Sequence, residues 1–558
     1  MIALVNFRQN ELENNRGGKN VRLEQYTQPF ASSFYKKYLE DVANLSSFFH
    51  YEWNQKALNK RVKEANFTKH KRTELADVIT SYMSEYGISK KSSQHINELK
   101  DNGVVVIGGQ QAGILSGPLY SIHKAISVIT LAKQQRETLG VPVIPVFWIA
   151  GEDHDIDEIN HVYIDRSRTL QKLVYPEKSR TKKIASEATF DDQLIKEYLD
   201  EIFKSLPETL YTKDLKSNVL ELLDNNLTYT SFFTALMNEL FQEEGLLLID
   251  AAYEPLRKLE SDYFQLQILH SSELAKVVFE HEEKIALEGF GTPIQAKESA
   301  AHLFYVEAGE RFLLERVNNQ FVHEAKGISF TLDEMMEIAR EHPEKLSNNV
   351  VTRPIMQEMV FPVLSFIAGP GEIAYWGVLK TAFELFDMKM PVLMPRISIS
   401  IVNANTQSLL EKLSFTIEDV WDGSLQDAKL HYINSNRNEE VPHLIEEIKA
   451  DLIEKYGKLE QLLMKDGLKL SPLVQKNLKN HEKQLNFINN AIEDTFLSKL
   501  DATTNRYDRI SMNLMPNDGL QERTYTPIQL MNEYGPSLIK QLLEVPYEFN
   551  GKHHVIYL

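Results

Sequence analysis

The segment of this chain that is richest in groups able to do chemistry is IAGEDHDIDEINH, residues 149–161. Within it, Glu152, Asp153, His154 and Asp155 are consecutive and follow an apolar run. Carboxylates can hold a cationic amine, and a histidine or a carboxylate can accept its proton, so these four residues are candidates for catalysis. Asp and His also suit Mg, Mn or Zn, but the segment matches no fixed ligand motif and adjacent residues rarely all face one ion. We therefore predict proton handling or cation recognition here and assign no metal.

A second segment, VVVIGGQQAGILSGPLYSIHK at 104–124, predicts a strand, a glycine-rich turn and the start of a helix. Backbone N–H groups at such a helix start, together with the helix dipole, favour a phosphate or a carboxylate. The segment is not a Walker A loop, because Ile114 and Leu115 stand where Lys and Ser or Thr are required. The alternative is that its glycines only permit a tight turn and close packing of the helix on the sheet.

Two kinds of functional residue are expected in this second segment. His123 and Lys124 lie on the second turn of the predicted helix, where a cation could neutralise developing charge, and both are candidates for catalysis. Ser116 is also a candidate for the helix cap. The residues expected to bind substrate or nucleotide are Gly108, Gly109, Gln110, Gln111, Gly113, Ser116, Gly117 and Tyr120.

A third segment, FIAGPGEIAYWGVLK at 366–380, repeats the order of strand, glycine turn and helix. A carboxylate in its first helical turn could bind an amino group, or it could simply stabilise the helix dipole. Two isolated arginines near apolar runs could grip carboxylates through their forked donors, with pairing at the surface as the alternative. The binding candidates of this group are Gly369, Gly371, Glu372, Trp376, Arg353 and Arg396.

The elements that must position these turns are short apolar runs with the length of a strand. They are mostly apolar throughout and rich in β-branched and aromatic residues, which predicts strands buried on both faces. Amphipathic helical stretches lie between them, so the sequence predicts an α/β fold with a Rossmann-like parallel sheet over residues 1–400. The long gaps between runs predict insertions near 160–240 and 255–350, the latter with a hairpin at 300–325. The runs are 104–109, 143–151, 245–250, 361–369 and 391–396.

The pattern of apolar residues changes after about residue 400. Apolar residues recur there at steps of three and four, which predicts an antiparallel helical hairpin, a coiled coil over 401–510. Two amphipathic helices packed on the core are the alternative. A free-standing hairpin would invite a second copy of the chain, and the segment 511–558 is expected to return to the core. The recurring residues are Ile445, Ile448, Leu452, Leu459, Leu462, Leu485, Ile488 and Ile492.

Composition excludes several classes of protein. The chain has 558 residues, a formal charge of −18 and no cysteine. The negative charge argues against a protein that coats nucleic acid or a membrane. The lack of cysteine removes disulfides, thiolate nucleophiles and cysteine-ligated metals. No apolar stretch approaches the roughly 18 to 20 residues that span a bilayer, and residues 1–20 lack the order of a secretory signal, so we expect a cytoplasmic protein.

Four blocks of this sequence together resemble the BshC family of bacillithiol biosynthesis. They are GGQQAGILSGPLYSIHKAISVI, PVFWIAGEDHDIDEINHV, RPIMQEMVFPVLSFIAGPGEIAYWGVLK and NDGLQERTY. The resemblance extends over essentially the whole chain. It implies a Rossmann-like core related to class I aminoacyl-tRNA synthetases, with connecting-peptide insertions, and a coiled coil that pairs two subunits into a homodimer.

The same resemblance implies a ligase that joins cysteine to glucosaminyl-malate to give bacillithiol, with ATP as the co-substrate. The chain lacks the His-x-Gly-His and Lys-Met-Ser-Lys-Ser signatures that hold ATP phosphates in the synthetases, so the mode of ATP use and the need for a metal stay open. Arg523 in GLQER either reaches the pocket or only anchors the chain end. The alternatives are a metal-dependent hydrolase that uses the cluster at 152–158 and a nucleotide-sensing binding protein without turnover.

Overall fold

The computed structural model describes residues 3–6, 20–65, 67–166, 169–177 and 182–558. Most of the N-terminal stretch from which we expected no secretory signal therefore lies outside the described residues. Within the described ranges, no helix is both long and apolar enough to cross a membrane.

The described residues form strands and helices in alternation. The strands are β1 (Ala3–Asn6), β2 (Asn20–Tyr26), β3 (Val104–Gln110), β4 (Val143–Ile149), β5 (His161–Arg166), β6 (Thr169–Val174), β7 (Leu247–Asp250), β8 (Ala300–Glu307), β9 (Glu310–Val317), β10 (Gln320–His323), β11 (Ile328–Phe330), β12 (Leu346–Asn348), β13 (Val363–Ala368), β14 (Val392–Pro395), β15 (Ser398–Val402) and β16 (His553–Tyr557). The helices are α1 (Ser33–Asp41), α2 (Gln55–Glu64), α3 (Arg72–Ser84), α4 (Lys90–Asp101), α5 (Tyr120–Leu139), α6 (Ile156–Ile159), α7 (Asp192–Ser205), α8 (Thr212–Asp224), α9 (Tyr229–Phe241), α10 (Glu254–Leu269), α11 (Ser271–Leu287), α12 (Leu332–Glu341), α13 (Thr352–Val360), α14 (Pro370–Trp376), α15 (Lys380–Leu385), α16 (Ala404–Leu413), α17 (Ile417–Trp421), α18 (Ser424–Ser435), α19 (Glu440–Lys465), α20 (Ser471–Leu514), α21 (Pro527–Tyr534) and α22 (Leu538–Leu543).

A five-stranded parallel sheet, in the order β14-β13-β3-β4-β7, forms the core. Its strands are the five apolar runs, so the predicted Rossmann-like α/β fold is confirmed. The side chains of β4 and β13 are buried along their whole length, because helices cover both faces of the sheet. Helix α5 packs on β3 and β4, while α3 and α4 pack on β7.

Two insertions interrupt the alternation of strand and helix. The first lies between β4 and β7 and contains the β5–β6 hairpin and helices α7 to α9. The second lies between β7 and β13 and contains an antiparallel sheet in the order β11-β10-β9-β8-β12. The predicted hairpin is confirmed, since β8 and β9 pair across Ala308 and Gly309, whose φ angles are 50° and 78°. Positive φ at both residues is typical of the tight turns that match the twist of paired strands.

The chain divides into two compact units, one of residues 1–401 with 519–558 and one of residues 402–518. In the first unit, β16 pairs antiparallel with β2 in a third sheet, β1-β2-β16-β15. The second unit is helical, and its two long helices α19 and α20 pack together on either side of a turn at 466–470.

The apolar residues predicted for the seam of this hairpin are only partly buried. Ile445 is 6% exposed, but Ile488 is 51% exposed and Leu462 is 61% exposed. Phe487, on the same helix as Ile488, is 69% exposed. The packing of α19 on α20 therefore leaves an apolar stripe uncovered on the second unit.

Candidate active site

The carboxyl ends of three adjacent strands open into one cavity of about 590 Å³ within the first unit. The strand β3 is central, and the chain leaves it toward β4 on one side and returns to β13 on the other. This reversal of strand order is where open parallel sheets bind their ligands. The residues predicted from sequence that line the cavity are Gly109, Gln110, Gln111, Tyr120, Lys124, Glu152, Asp153, His154, Asp155, Arg353, Gly369, Gly371, Glu372, Arg396 and Arg523.

The turn after β4 carries the acidic cluster and is held by the first insertion. The N–H of Ala185 donates to the Asp153 carbonyl at 2.8 Å, and the N–H of Ser186 donates to the Gly151 carbonyl at 3.0 Å. Glu152 is buried and accepts hydrogen bonds from Arg257 and from the Ser347 hydroxyl. The first insertion thus fixes the backbone of this turn, while Arg257 and Ser347 of the second insertion hold Glu152 as a buried ionic anchor.

The other members of the cluster differ in their surroundings. Asp153 accepts from Arg311 Nη1 at 3.0 Å, and burial raises the pKa of its carboxyl. Burial lowers the pKa of His154, whose Nε2 lies 3.9 Å from a carboxylate oxygen of the exposed Asp155. The Nδ1 of His154 is buried and has no hydrogen-bond partner among the described residues. A neutral imidazole with an adjacent carboxylate is suited to accept a proton near neutral pH.

Lys124 joins the turns after β3 and β13. Its ammonium donates to the Gly109 carbonyl at 2.8 Å and to the Glu372 carboxylate, which also accepts from the Gly369 N–H at 2.7 Å. Burial lowers the pKa of Lys124 despite the opposing effect of Glu372. Position 109 must be glycine, because a Cβ there would lie 2.5 Å from the Trp148 carbonyl oxygen. An ammonium has three donors, and Lys124 Nζ has two hydrogen-bond partners among the described residues, which leaves one N–H at the cavity wall for a ligand.

Four arginines line the cavity, and three of them, Arg353, Arg396 and Arg523, differ in whether a carboxylate already neutralises them. Arg396 makes a fork with Glu522, with nitrogen–oxygen distances of 2.8 and 2.5 Å. Arg353 donates to the Tyr375 hydroxyl, and neither it nor the exposed Arg523 has a carboxylate partner within the described ranges. Arg353 and Arg523 are therefore the guanidinium groups free to bind an anion, whereas Arg396 is neutralised.

The structure corrects several predictions for the turn after β3. Helix α5 begins at Tyr120 without a side-chain cap, and Ser116 lies before it in a 3-10 turn with φ of 66°. The N–H of Leu119 donates to the Tyr525 carbonyl at 2.8 Å, so this end of the helix is covered by the C-terminal segment. The predicted cap at Ser116 is therefore wrong, and the Leu119 N–H at this helix start is occupied by a protein carbonyl.

The remaining predicted residues lie outside the cavity. His123 is buried, with Nδ1 at 2.8 Å from Glu522, so it belongs to the ionic cluster of Arg396. Trp376 is buried against Phe366 and Phe383. Gly108 and Gly113 serve close packing, because Cβ atoms there would lie 3.0 Å from Val128 and 2.7 Å from the Gly117 Cα. Gly117 has a φ of 68°, which favours glycine.

Sequence reasoning missed the wall that the second insertion contributes. Phe304, Arg311 and Asn348 line the cavity from β8, β9 and β12. The guanidinium carbon of Arg311 lies 3.7 Å from the centroid of the Phe304 ring. No signal in the sequence could have found these residues, because an insertion has no strand-end pattern that would place its residues at the site.

No group of three His, Asp or Glu side chains within the described ranges is arranged as a set of metal ligands. The carboxylates of Glu152 and Asp153 face arginines.

Comparison with known proteins gives matches over nearly the whole chain. The family model described as Bacillithiol biosynthesis BshC, N-terminal Rossmann-like domain, matches residues 20–397, and the model for the C-terminal coiled-coil domain of BshC matches residues 399–558. A protein of Lysinibacillus sphaericus named "Putative cysteine ligase BshC" is 43% identical over 96% of this chain and 100% of its own length. A protein of the same name from a Geobacillus species is 37% identical over 87% of this chain and 90% of its own length.

Proposed function

We propose, because this chain belongs to the BshC family of bacillithiol biosynthesis, that it is a cysteine ligase that forms an amide bond between cysteine and glucosaminyl-malate. The observation that carries this proposal is the cavity at the sheet edge, where free guanidinium groups and a histidine with acidic neighbours face one space. Such a site can hold a substrate that has carboxylates at one end and an amine at the other.

The malate part of the substrate carries two carboxylates. Arg353 and Arg523 line the cavity without carboxylate partners among the described residues, and each presents the forked donors that match a carboxylate. We assign them to the malate end. Arg396 is excluded from this role by its fork with Glu522.

The amine of the glucosaminyl part is largely an ammonium near neutral pH and must lose a proton before it attacks a carboxyl carbon. Asp153 and Asp155 supply negative charge on either side of His154. Because burial lowers the pKa of His154, its imidazole is neutral near pH 7 and can accept that proton. We assign His154 as the general base and Asp155 as the group that holds the cation, because Asp153 already pairs with Arg311.

The carboxyl of cysteine must be activated before an amine displaces its oxygen. ATP would supply the activating group, and the third N–H of Lys124 is a donor at the cavity wall that can face a phosphate. In that step, Lys124 would stabilise negative charge on the phosphate, and its ammonium is already held in position by Gly109 and Glu372.

We further propose that the protein is a cytoplasmic homodimer paired through its helical unit. The uncovered apolar stripe of that unit supports this, because Phe487, Ile488 and Ile492 are 69%, 51% and 40% exposed. Exposed apolar groups at helical spacing on a long hairpin are typical of surfaces that pair.

The proposed reaction is tested with purified protein, cysteine, glucosaminyl-malate and ATP, and the products are identified by mass spectrometry. A product with the summed mass of both substrates minus water is expected, together with ADP or AMP. A reaction without ATP tests whether ATP is required, and a reaction without cysteine serves as the negative control. If no condensation product forms with all three reactants present, the ligase assignment is wrong.

A further inference from the structure

Asn348, the last residue of β12, places a buried side-chain amide at the cavity wall. The residue is 1% exposed, and both Oδ1 and Nδ2 lack a hydrogen-bond partner within the described ranges. Nearly all buried polar atoms in proteins are paired, since an unpaired one costs folding free energy. An unpaired amide that lines a cavity is therefore a signal that a ligand completes it.

The position of Asn348 is fixed by its backbone. Its N–H donates to Glu152 at 3.3 Å, and its carbonyl accepts from Arg311. The side-chain oxygen of the next residue, Asn349, accepts hydrogen bonds from the N–H groups of Val351 and Thr352, at 2.9 and 3.1 Å. The side chain of Asn349 thus stabilises the start of α13, whereas the side chain of Asn348 can bind a ligand in the cavity.

The chemistry of the amide limits what it can bind. It donates and accepts at once, whereas a carboxylate only accepts and an ammonium only donates. Hydroxyl groups do both, so of two neighbouring hydroxyls on a ring one can accept from the amide nitrogen and the other can donate to the amide oxygen. Phe304, on the same wall, is only partly buried and adds apolar surface to the cavity, although the Arg311 guanidinium already covers one face of its ring.

We infer that Asn348 recognises the hydroxyl groups of a sugar ring in the bound substrate. The inference rests on the proposed function, whose reactants contain two such rings, the hexose of glucosaminyl-malate and the ribose of ATP. Asn348 is thus a specificity-determining residue that the second insertion contributes to the site.

The test measures the affinity of wild-type protein and N348A for glucosaminyl-malate and for ATP separately by calorimetry, with thermal unfolding in parallel. N348A is expected to bind one of them about tenfold to a hundredfold more weakly, since two hydrogen bonds are lost. Its unfolding midpoint without ligand should be unchanged or higher, because an unpaired amide is removed. N348S, whose hydroxyl also donates and accepts, should bind that ligand with an affinity between those of the wild type and N348A.

N238A is the matched control. Asn238 is also buried, but it lies on α9 away from the cavity, and its amide donates to the Tyr86 and Gly87 carbonyls at 2.7 and 3.2 Å. This variant should lower the unfolding midpoint and leave both affinities unchanged.

If N348A binds glucosaminyl-malate more weakly, Asn348 contacts the hexose, and if it binds ATP more weakly, Asn348 contacts the ribose. Either result supports the inference. If N348A binds both ligands as the wild type does, the role of Asn348 is refuted while the ligase proposal stands. If the wild type binds neither ligand, the proposed function fails, and the inference fails with it.

Discussion

Replacement of either of two arginines on the cavity wall by methionine should affect different properties of the protein, substrate binding in one case and stability in the other. Arg353 donates to the Tyr375 hydroxyl and has no carboxylate partner within the described ranges, whereas Arg396 is held in a fork by Glu522. We predict that R353M weakens substrate binding and leaves the fold intact. We predict that R396M destabilises the fold.

The magnitudes follow from what each substitution leaves behind. R353M removes a charge-assisted contact to a substrate carboxylate, which contributes about 1.5 to 3 kcal/mol, or about 10-fold to 150-fold in affinity. R396M leaves Glu522, which is 3% exposed, without its guanidinium. Removal of one partner of a buried ion pair costs about 3 to 5 kcal/mol of stability. The Arg396 guanidinium outweighs burial and holds the pKa of Glu522 well below its usual value, so R396M should also raise that pKa.

The assay combines calorimetry with glucosaminyl-malate and urea unfolding of each variant. R166A is a suitable control, since Arg166 pairs with Glu201 at the surface and should change neither quantity by much. The reasoning is refuted if R353M binds substrate as tightly as the wild type, or if R396M unfolds at the same urea concentration as the wild type.

Three further predictions concern the acidic cluster, the core and the helical unit. H154A should lower the rate of cysteine addition by about a hundredfold or more, since a general base contributes about 10² to 10⁴, and D155N should lower it less. Burial raises the pKa of Asp250 from 3.8 to about 6, so ionisation of this carboxyl opposes folding as pH rises through that range. D250N should therefore raise the free energy of unfolding by up to about 3 kcal/mol at pH 8 and by only about 0.5 kcal/mol at pH 4. F487D combined with I492D should convert a dimer into monomers, as measured by light scattering after gel filtration.

Each of these has an outcome that would contradict it. Full turnover in H154A would remove His154 from the mechanism, and equal effects of D250N at pH 4 and pH 8 would show that its charge is not the cause. K476D, a charge reversal at an exposed position on α20, is the control for the helical unit. A dimer that survives the double substitution would place the pairing surface elsewhere.

The sequence by itself determined the parallel sheet and the turns that follow its strands. Strands buried on both faces need apolar residues throughout, so the runs at 104–109 and 143–151 are recognisable without neighbours. Polar residues directly after such runs must emerge at one edge of a parallel sheet. For this reason Gln110, Asp153 and Glu372 could be predicted to meet, and all three line the cavity.

Only the tertiary structure decided which of these residues are free to act. Glu522 lies 126 positions from Arg396 and 399 from His123, yet it pairs with both and removes them from the chemistry. Asn348 reaches the site through an insertion whose own strands carry no mark of where they dock. Periodicity is a local property, and it therefore fixes elements and their ends. The pairing of charges is decided by contacts between distant segments, whose choice of partner no local pattern records.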